Sequence, residues 1–398
     1  MYDFKTLVDR SKQGSSKWLS MKNIKPNLCE TISPLSVADA DIKMAPEIIS
    51  GLKDYLEEMI FGYSVPVASY YQAVIDWNKR RHNFLIEKDW IVTAPGVVKA
   101  ISDLIAAFTL ENEGVIIMPP VYHLFKRVIE NQNRQVVNNP LIEENVYYTI
   151  DFQGLEALAS NKNNKVLIFC SPHNPVGRVW SKAELKQVIE ICERYDLLII
   201  SDEIHNDLIM SNQRHYFLAS LDERAAKCTI TTLSASKSFN LAGLKTSNII
   251  ISNPEIRKIY TDYLAKTSGN GLNAIGPKAL ELAYTQGEAW FDEFLKLIEA
   301  NYHFTLEFFT NNLPMLKVSP LEGTYLLWVN FKALGLREPA LSQFLIENCD
   351  LFIDAGIKFG EAGDGFGRIN LATPQAVLKE AYLRLEKGIK ENLKLNNS

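Results

Sequence analysis

A lysine flanked by hydroxyl groups follows an apolar run of the chain. The run Thr229–Leu233 is rich in β-branched residues and predicts a buried strand. Ser234, Ser236 and Lys237 come directly after it, and Lys245 follows. An amine at a strand end can form a Schiff base, and hydroxyls with a second cation can hold a phosphate. The alternative interpretation of the same segment is a solvated turn rich in serine and lysine.

Two other predicted strands also end beside residues that could bind a ligand. The strand at 90–93 leads into Gly96, Val97 and Val98, where a helix begins. Free backbone N–H groups at a helix start can bind a phosphate. The strand at 115–118 is followed by Tyr122, whose ring could stack on a flat ligand. A structural turn at Gly96 and a core position for Tyr122 are the alternatives.

A further pair of strand ends carries an amide, a carboxylate and an imidazole. The strand at 166–170 precedes Asn174, whose side-chain amide could donate to a ligand oxygen or simply form a turn. The strand at 197–201 precedes Asp202 and then His205. A carboxylate at the end of a buried strand is costly unless a cation pairs with it, and a protonated pyridine nitrogen would serve. For His205 the alternative is an ordinary surface histidine.

Five strand ends in chain order therefore offer five different functions. They supply a phosphate cradle, a ring to stack, an oxygen donor, a partner for a ring nitrogen and a lysine for a Schiff base. One cofactor, pyridoxal 5'-phosphate (PLP), needs all five. Because open α/β sheets bind ligands at the carboxyl ends of their strands, the sequence predicts a PLP site there.

Composition limits the remaining classes of protein. The 398 residues are 47% hydrophobic and carry a net charge of −5, so binding to nucleic acid or to an anionic membrane has no electrostatic support. No apolar run approaches the roughly 20 residues that span a bilayer, and the first residues lack a signal region. The five cysteines are scattered, the six histidines show no metal-ligand spacing, and we expect a cytoplasmic protein with reduced thiols and no bound metal.

The order of apolar runs predicts an α/β architecture. Short strands alternate with helical patterns such as Ser181–Tyr195, where Ser181 and Glu184 form a capping box. This alternation favours a mainly parallel sheet covered by helices. Beyond residue 280 a long helix at 288–310 and antiparallel strands at 317–319 and 323–330 indicate a smaller α+β unit. The predicted divisions are an N-terminal arm that joins the small domain, a large domain and a C-terminal small domain, at 1–45, 46–285 and 286–398.

The chain resembles the fold-type I PLP-dependent enzymes, the superfamily of class I and II aminotransferases. It is most similar to the cystathionine β-lyase (C–S lyase) branch that includes MalY and PatB. The motifs that carry this resemblance are VADAD at 37–41, FGYS at 61–64, APGVV at 94–98, PPVY at 119–122, SPHNPVG at 171–177, SDEIH at 201–205, SASKSFNLAGL at 234–244, EGTYLLW at 322–328 and GFGRINLA at 365–372.

The resemblance implies a fold and a set of roles. The fold would be that of aspartate aminotransferase, with a mainly parallel seven-stranded sheet in the large domain. Lys237 would bind PLP covalently and then take the substrate α-proton, Asp202 would keep the pyridine nitrogen protonated, and Tyr122 would stack on the ring. Further cofactor-binding residues, mostly around the phosphate, would be Gly96, Val97, Val98, Ser234, Ser236 and Lys245.

The resemblance also implies a substrate site and a partner. Asn174 and His205 would face the ring hydroxyl, and Asn174 would also border the substrate. Arg368 would bind the α-carboxylate of an amino-acid substrate through two hydrogen bonds. Tyr63 would reach the phosphate bound by a second copy of the chain, so that a homodimer is the catalytic unit.

Three outcomes fit the same motifs. After α-proton removal, loss of a thiolate from the β-carbon gives pyruvate and ammonia, whereas reprotonation on the cofactor gives transamination. The third possibility is a PLP-binding regulatory module without turnover, against which the intact Lys237, Asp202 and Arg368 argue. The segment Ser36–Ile42 lacks the aromatic residue and the methionine that the family has there, which leaves the substrate side chain open.

Overall fold

Thirteen strands occur in the computed structural model, which describes residues 2–29, 32–267 and 271–392. They are β1 (Ile91–Ala94), β2 (Gly114–Ile117), β3 (Gln135–Asn138), β4 (Ile142–Glu144), β5 (Tyr147–Thr149), β6 (Asn164–Cys170), β7 (Leu198–Asp202), β8 (Thr229–Leu233), β9 (Ser247–Ile250), β10 (Lys317–Val318), β11 (Leu326–Asn330), β12 (Asp354–Ala355) and β13 (Phe366–Asn370).

Thirteen α-helices cover and connect these strands within the described residues. They are α1 (Ser16–Ile24), α2 (Pro46–Glu58), α3 (Ala68–His82), α4 (Val97–Phe108), α5 (Leu124–Glu130), α6 (Phe152–Ala159), α7 (Lys182–Arg194), α8 (Glu223–Cys228), α9 (Pro254–Thr267), α10 (Gly276–Gln286), α11 (Glu288–Asn312), α12 (Ala340–Cys349) and α13 (Gln375–Asn392). None of these helices combines the length and the apolar character that crossing a membrane requires.

The large sheet contains seven strands in the order β1-β9-β8-β7-β6-β2-β3. All neighbours are parallel except β9, which runs antiparallel to both β1 and β8. The predicted mainly parallel seven-stranded sheet is therefore confirmed. The strand Thr229–Leu233 has the predicted bounds, and the other four strands predicted for this sheet differ from the structure by one or two residues at their ends.

The apolar runs form strands because both faces of the sheet are covered. On β6, Leu167 and Phe169 point into one buried cluster, whereas Val166 and Ile168 point into the cluster on the opposite face. Successive side chains of a strand alternate between faces, so a strand that is buried on both sides must be apolar throughout. Each such side chain contributes about 1.5–3 kcal/mol by leaving water.

The predicted capping box of α7 is present. The Glu184 N–H donates to Ser181 Oγ at 3.3 Å, and the Ser181 N–H donates to Glu184 Oε2 at 2.7 Å. A good N-cap of this kind stabilises a helix by about 1 kcal/mol. The long helix predicted at 288–310 is α11. The sequence also predicts a helix at 376–393, which is α13, and its expected final residue, Leu393, lies outside the described residues.

A second sheet has the strand order β10-β11-β13-β12 and is antiparallel throughout. Its first two strands match the segments predicted at 317–319 and 323–330. The N-terminal arm attaches beside this sheet, because the Leu35 N–H donates to Phe352 O at 2.8 Å and the Asn370 N–H donates to Leu35 O at 2.8 Å. These bonds join the arm to the second sheet, and the division of the chain at 1–45, 46–285 and 286–398 stays a prediction.

Candidate active site

A cavity of about 410 Å³ opens at the carboxyl ends of the large-sheet strands, next to β12 and β13. The residues that line it come from both sheets and from the N-terminal arm. They are Val37, Ala38, Pro95, Gly96, Val97, Val98, Lys99, Tyr122, His123, Cys170, Asn174, Asp202, Ile204, His205, Ser236, Lys237, Ala242, Lys245, Asp354 and Arg368. All but two of the residues that the sequence singled out thus border one space, the exceptions being Ser234 and Tyr63.

Lys237 lies in the turn that follows β8, partly buried in the cavity wall. Its Nζ donates a hydrogen bond to the backbone oxygen of Ala38 at 2.7 Å. Burial and the nearby positive charge of Arg368 lower the pKa of the Lys237 amine to about 8. A lysine near this value reaches the neutral, nucleophilic form far more readily than a solvated one.

Asp202 is the last residue of β7 and is buried. Its Oδ1 accepts hydrogen bonds from Thr232 Oγ1 and from the Ile204 N–H, both at 3.3 Å. Burial raises the pKa of this carboxyl to about 6. A cation in the cavity beside Asp202 would favour its ionised form, which is the pairing expected for a protonated pyridine nitrogen.

Arg368 projects from β13 and is held by two oxygen atoms. Its Nη2 donates to Asp354 Oδ2 at 2.6 Å and its Nη1 donates to Asn174 Oδ1 at 2.8 Å. Asp354 stands directly opposite Arg368 on β12, and the guanidinium carbon lies 4.8 Å from the centre of the Phe359 ring. Burial disfavours the charge on Asp354, but Arg368 and Lys358 outweigh it and hold its pKa below the usual range. Arg368 is therefore fixed in place, ready for an anionic ligand group.

Part of the cavity wall is formed by a helix start and a loop. Gly96 has φ +106°, a conformation that favours glycine, and the twelve-residue helix α4 begins at the next residue. A Cβ at Gly96 would meet no protein atom within 4 Å. In the loop after β8, Ser234 Oγ lies 2.6 Å from Ser236 Oγ and donates to Thr246 O at 2.7 Å. Ser234 therefore does not line the cavity itself, but it orients Ser236, which does.

His205 and Tyr122 border the centre of the cavity. His205 is buried, so its alternative interpretation as a surface histidine is wrong. Its Nδ1 has no hydrogen-bond partner among the described residues, which leaves a buried polar atom for a ligand to satisfy. Tyr122 is partly buried, and burial raises the pKa of its phenol to about 12. It therefore offers a neutral ring.

These features fit PLP. The buried carboxylate of Asp202, the unsatisfied Nδ1 of His205 and the amine of Lys237 match the ring nitrogen, ring oxygen and aldehyde carbon of that cofactor in chemical type. The open space at Gly96 leaves room for a phosphate next to the N–H groups of the helix start.

Sequence reasoning missed several residues of the cavity. Asp354 gave no signal, because a two-residue strand has no pattern and its pairing with Arg368 depends on register. His123 directly follows Tyr122, so the reasoning that identified Tyr122 near a strand end could have identified His123 as well. Tyr63, in contrast, lies away from the cavity with a fully solvent-exposed side chain.

Comparisons with known proteins agree with this geometry. The family model described as aminotransferase class I and II matches residues 34–385. Cystathionine beta-lyase PatB of Bacillus subtilis is 35% identical and covers 89% of this chain and 92% of its own length. Protein MalY of Escherichia coli is 30% identical and covers 98% of this chain and 97% of its own length. The crystal structure of cystalysin from Treponema denticola, which contains PLP, is 45% identical with a TM-score of 0.97 and covers 98% of this chain and 99% of that chain.

Proposed function

This chain belongs to the class I and II aminotransferase family, and we propose that it is a PLP-dependent C–S β-lyase. Its substrates would be L-cystathionine or related cysteine S-conjugates, and its products pyruvate, ammonia and a thiol. The observation that carries the proposal is that Lys237, Asp202 and Arg368 border one cavity. The expected relationship to the branch of MalY and PatB is confirmed, and it favours elimination over transamination.

The residues of the chain divide the work around the cofactor. PLP supplies the electron sink that makes the substrate α-carbon acidic. Asp202 holds a positive charge on the ring nitrogen, and Arg368 fixes the substrate α-carboxylate through its planar guanidinium. The Lys237 amine then takes the α-proton, for which a pKa of about 8 suits an enzyme working near neutral pH. Electrons released at the α-carbon expel the thiolate from the β-carbon. Hydrolysis of the remaining 2-aminoacrylate by one water then gives pyruvate and ammonia.

Products distinguish the lyase from an aminotransferase. Purified, PLP-loaded protein is incubated with L-cystathionine, with and without a keto acid, and pyruvate, ammonia and thiol are measured. We expect all three products without the keto acid. Turnover that requires a keto acid and releases no thiol would establish the aminotransferase instead. Absence of both reactions, with PLP bound, would leave the regulatory module.

An arginine-to-lysine change tests the substrate site. Arg368→Lys keeps the positive charge but loses the second N–H donor group that now reaches Asn174. We expect kcat/KM for L-cystathionine to fall on the order of 10-fold to 100-fold, about 1.4–2.7 kcal/mol, with the PLP content unchanged. Steady-state kinetics and the cofactor absorbance measure the two effects. Wild-type kcat/KM in the variant would mean that another group binds the carboxylate.

We propose that the active unit is a homodimer. The segment that contains Tyr63 exposes a run of large apolar side chains: Ile60 is 87% exposed, Phe61 70%, Tyr63 112% and Val65 81%. Apolar side chains clustered on a surface commonly mark a protein interface. A second copy of the chain covering this segment would bring Tyr63 to the phosphate in the partner's cavity.

Mixing two inactive variants tests this dimer. Tyr63→Ala and Lys237→Ala are each expected to have little activity, because each removes one contribution to every site. In a mixed dimer one of the two sites keeps both residues, so unfolding and refolding the mixture should restore up to about a quarter of the wild-type activity. Lys237→Ala refolded alone is the control. Recovery no greater than the sum of the two variants, or a fully active monomer in analytical ultracentrifugation, would refute the role of Tyr63.

We also propose a cytoplasmic location with no nucleic-acid and no membrane partner. The net charge of −5 supports both parts of the partner proposal, since nucleic acids and the inner membrane surface are anionic.

A further inference from the structure

Part of the cavity wall is formed by Val37 and Ala38. They belong to a short segment, residues 36–41, which here is called the arm segment. Its residue Ala38 directs the backbone oxygen at the catalytic lysine and accepts a hydrogen bond from Lys237 Nζ at 2.7 Å. The same oxygen accepts a second hydrogen bond from the Tyr325 hydroxyl at 2.9 Å. The Ala38 carbonyl group thus connects the arm segment with Lys237 and with Tyr325, the residue before β11.

The arm segment is held by polar side chains from elements that are distant in the chain. Asn240 forms a pair of bonds with Ala40: the Ala40 N–H donates to Oδ1 and Nδ2 donates to the Ala40 oxygen, both at 3.0 Å. Asn370 Nδ2 donates to the oxygens of Val37 at 2.8 Å and Asp39 at 2.7 Å. The backbone of the arm segment is therefore held by hydrogen bonds on both sides of Ala38.

Asn240 is suited to this position in conformation as well as in chemistry. It has φ +57°, in the left-handed region that asparagine tolerates better than most residues. It stands three residues after Lys237 in the same turn. The turn that carries the lysine and the segment that carries its acceptor are consequently tied together by two hydrogen bonds of one side chain.

We propose that Asn240 is a positioning residue: by holding Ala40, it keeps the Ala38 oxygen where it receives and orients the Lys237 amine. This proposal rests on the proposed role of Lys237 as the base of the reaction. With a substrate in its place on PLP, the Lys237 amine would be free and would have to be directed at the α-proton. A fixed acceptor limits the orientations of a side chain that otherwise has four rotatable bonds.

The acceptor also affects the charge on the amine. A carbonyl oxygen stabilises an ammonium group more than an amine, so losing it should lower the pKa of Lys237 further. Ionisable groups from every packed element already act on this lysine, and these are Arg368 on β13, Asp202 on β7, His205 after β7, Lys17 on α1 and Asp39 in the arm segment.

The test is Asn240→Gly, because glycine keeps the left-handed backbone while removing both hydrogen bonds. We expect kcat for L-cystathionine to fall about 10-fold with KM changed less than twofold, since the amine is misplaced and the substrate site is intact. A second readout needs no turnover. Full-length protein freed of PLP is treated with acetic anhydride over a range of pH, and acetylation of Lys237 is followed by mass spectrometry. We expect the midpoint of this profile to shift down by half a pH unit or more.

Asn139→Gly is the matched control. Asn139 is also buried and donates from Nδ2 to a backbone oxygen, that of Asp151 at 3.1 Å, but it lies outside the cavity. It should leave both the acetylation midpoint and kcat at the wild-type values. If Asn240→Gly fails to fold, Asn370→Ala tests the same carbonyl from its other side and is expected to shift the midpoint in the same direction.

Two results would overturn the proposal. An acetylation midpoint and a kcat both equal to the wild type in Asn240→Gly would show that the lysine does not depend on this residue. An equal shift in Asn139→Gly would show general loosening of the fold. Because acetylation requires no reaction with substrate, a protein that fails as a lyase still reports on the contact between Lys237 and Ala38.

Discussion

Replacing Lys237 with alanine is expected to lower thiol release from L-cystathionine on the order of 10⁴-fold or more. In the proposed mechanism the variant would lose both the covalent attachment of the cofactor and the base that takes the α-proton. Alanine also removes the amine whose pKa burial and Arg368 lower to about 8. PLP should still bind, because Asp202 and the N–H groups at the start of α4 remain.

Attachment and activity are measured separately. Borohydride reduction of the wild-type protein followed by peptide mapping should place the pyridoxyl group on Lys237. Lys165→Ala is the control, since Lys165 lies at the start of β6, away from the cavity, and pairs only loosely with Glu113 at 3.7 Å. A pyridoxyl group on a different lysine, or an active Lys237→Ala variant, would remove the basis of the mechanism.

Asp202→Asn is expected to lower kcat by at least about 10²-fold, or about 3 kcal/mol, while PLP binding changes far less. Asparagine retains the shape and can keep the hydrogen bonds from Thr232 and Ile204, but it carries no charge. The positive charge on the ring nitrogen matters most as negative charge develops on the α-carbon, so the loss should appear in kcat. A near-normal kcat would mean that a different group supports the ring nitrogen.

Without PLP, the expected effect of Asp202→Asn is on the stability of the fold, and it is not destabilising above pH 6. Burial raises the pKa of Asp202 to about 6, above its unfolded value. The group therefore stabilises the fold at low pH, and this contribution is lost as the pH rises through about 6. Asp202→Asn removes that pH dependence, and above pH 6 the PLP-free variant should resist urea at least as well as the wild type. Asp103→Asn, which also replaces a buried carboxylate of raised pKa, is the control and should leave kcat unchanged.

The candidate functional side chains that stand at strand ends were predictable from the sequence. Asn174 and Lys237 come just after β6 and β8, Asp202 is the last residue of β7, and the carboxyl ends of these parallel neighbours meet at one edge. The strands themselves were found because burial on both faces demands continuous apolar runs. Strand β3 was missed, since it lies at the edge of the sheet and its ends, Gln135 and Asn138, are exposed.

What sequence reasoning missed depends on contacts between distant segments. The partnership of Asp354 with Arg368 requires the register of two short strands. The acceptor for Lys237 is a backbone oxygen, and the identity of Ala38 carries no information about where that oxygen points. Such features follow from tertiary packing, which local patterns do not encode.

The attachment of the arm has a consequence for the order of events during synthesis. The arm precedes both sheets in the chain, yet it bonds to Phe352 and Asn370, which are made much later. During synthesis these bonds therefore form only after β13 has emerged from the ribosome. The wall that accepts Lys237 is complete only once residue 370 has been made, and a chain that stops before residue 366 lacks both Arg368 and the bonds from Asn370 to the arm segment.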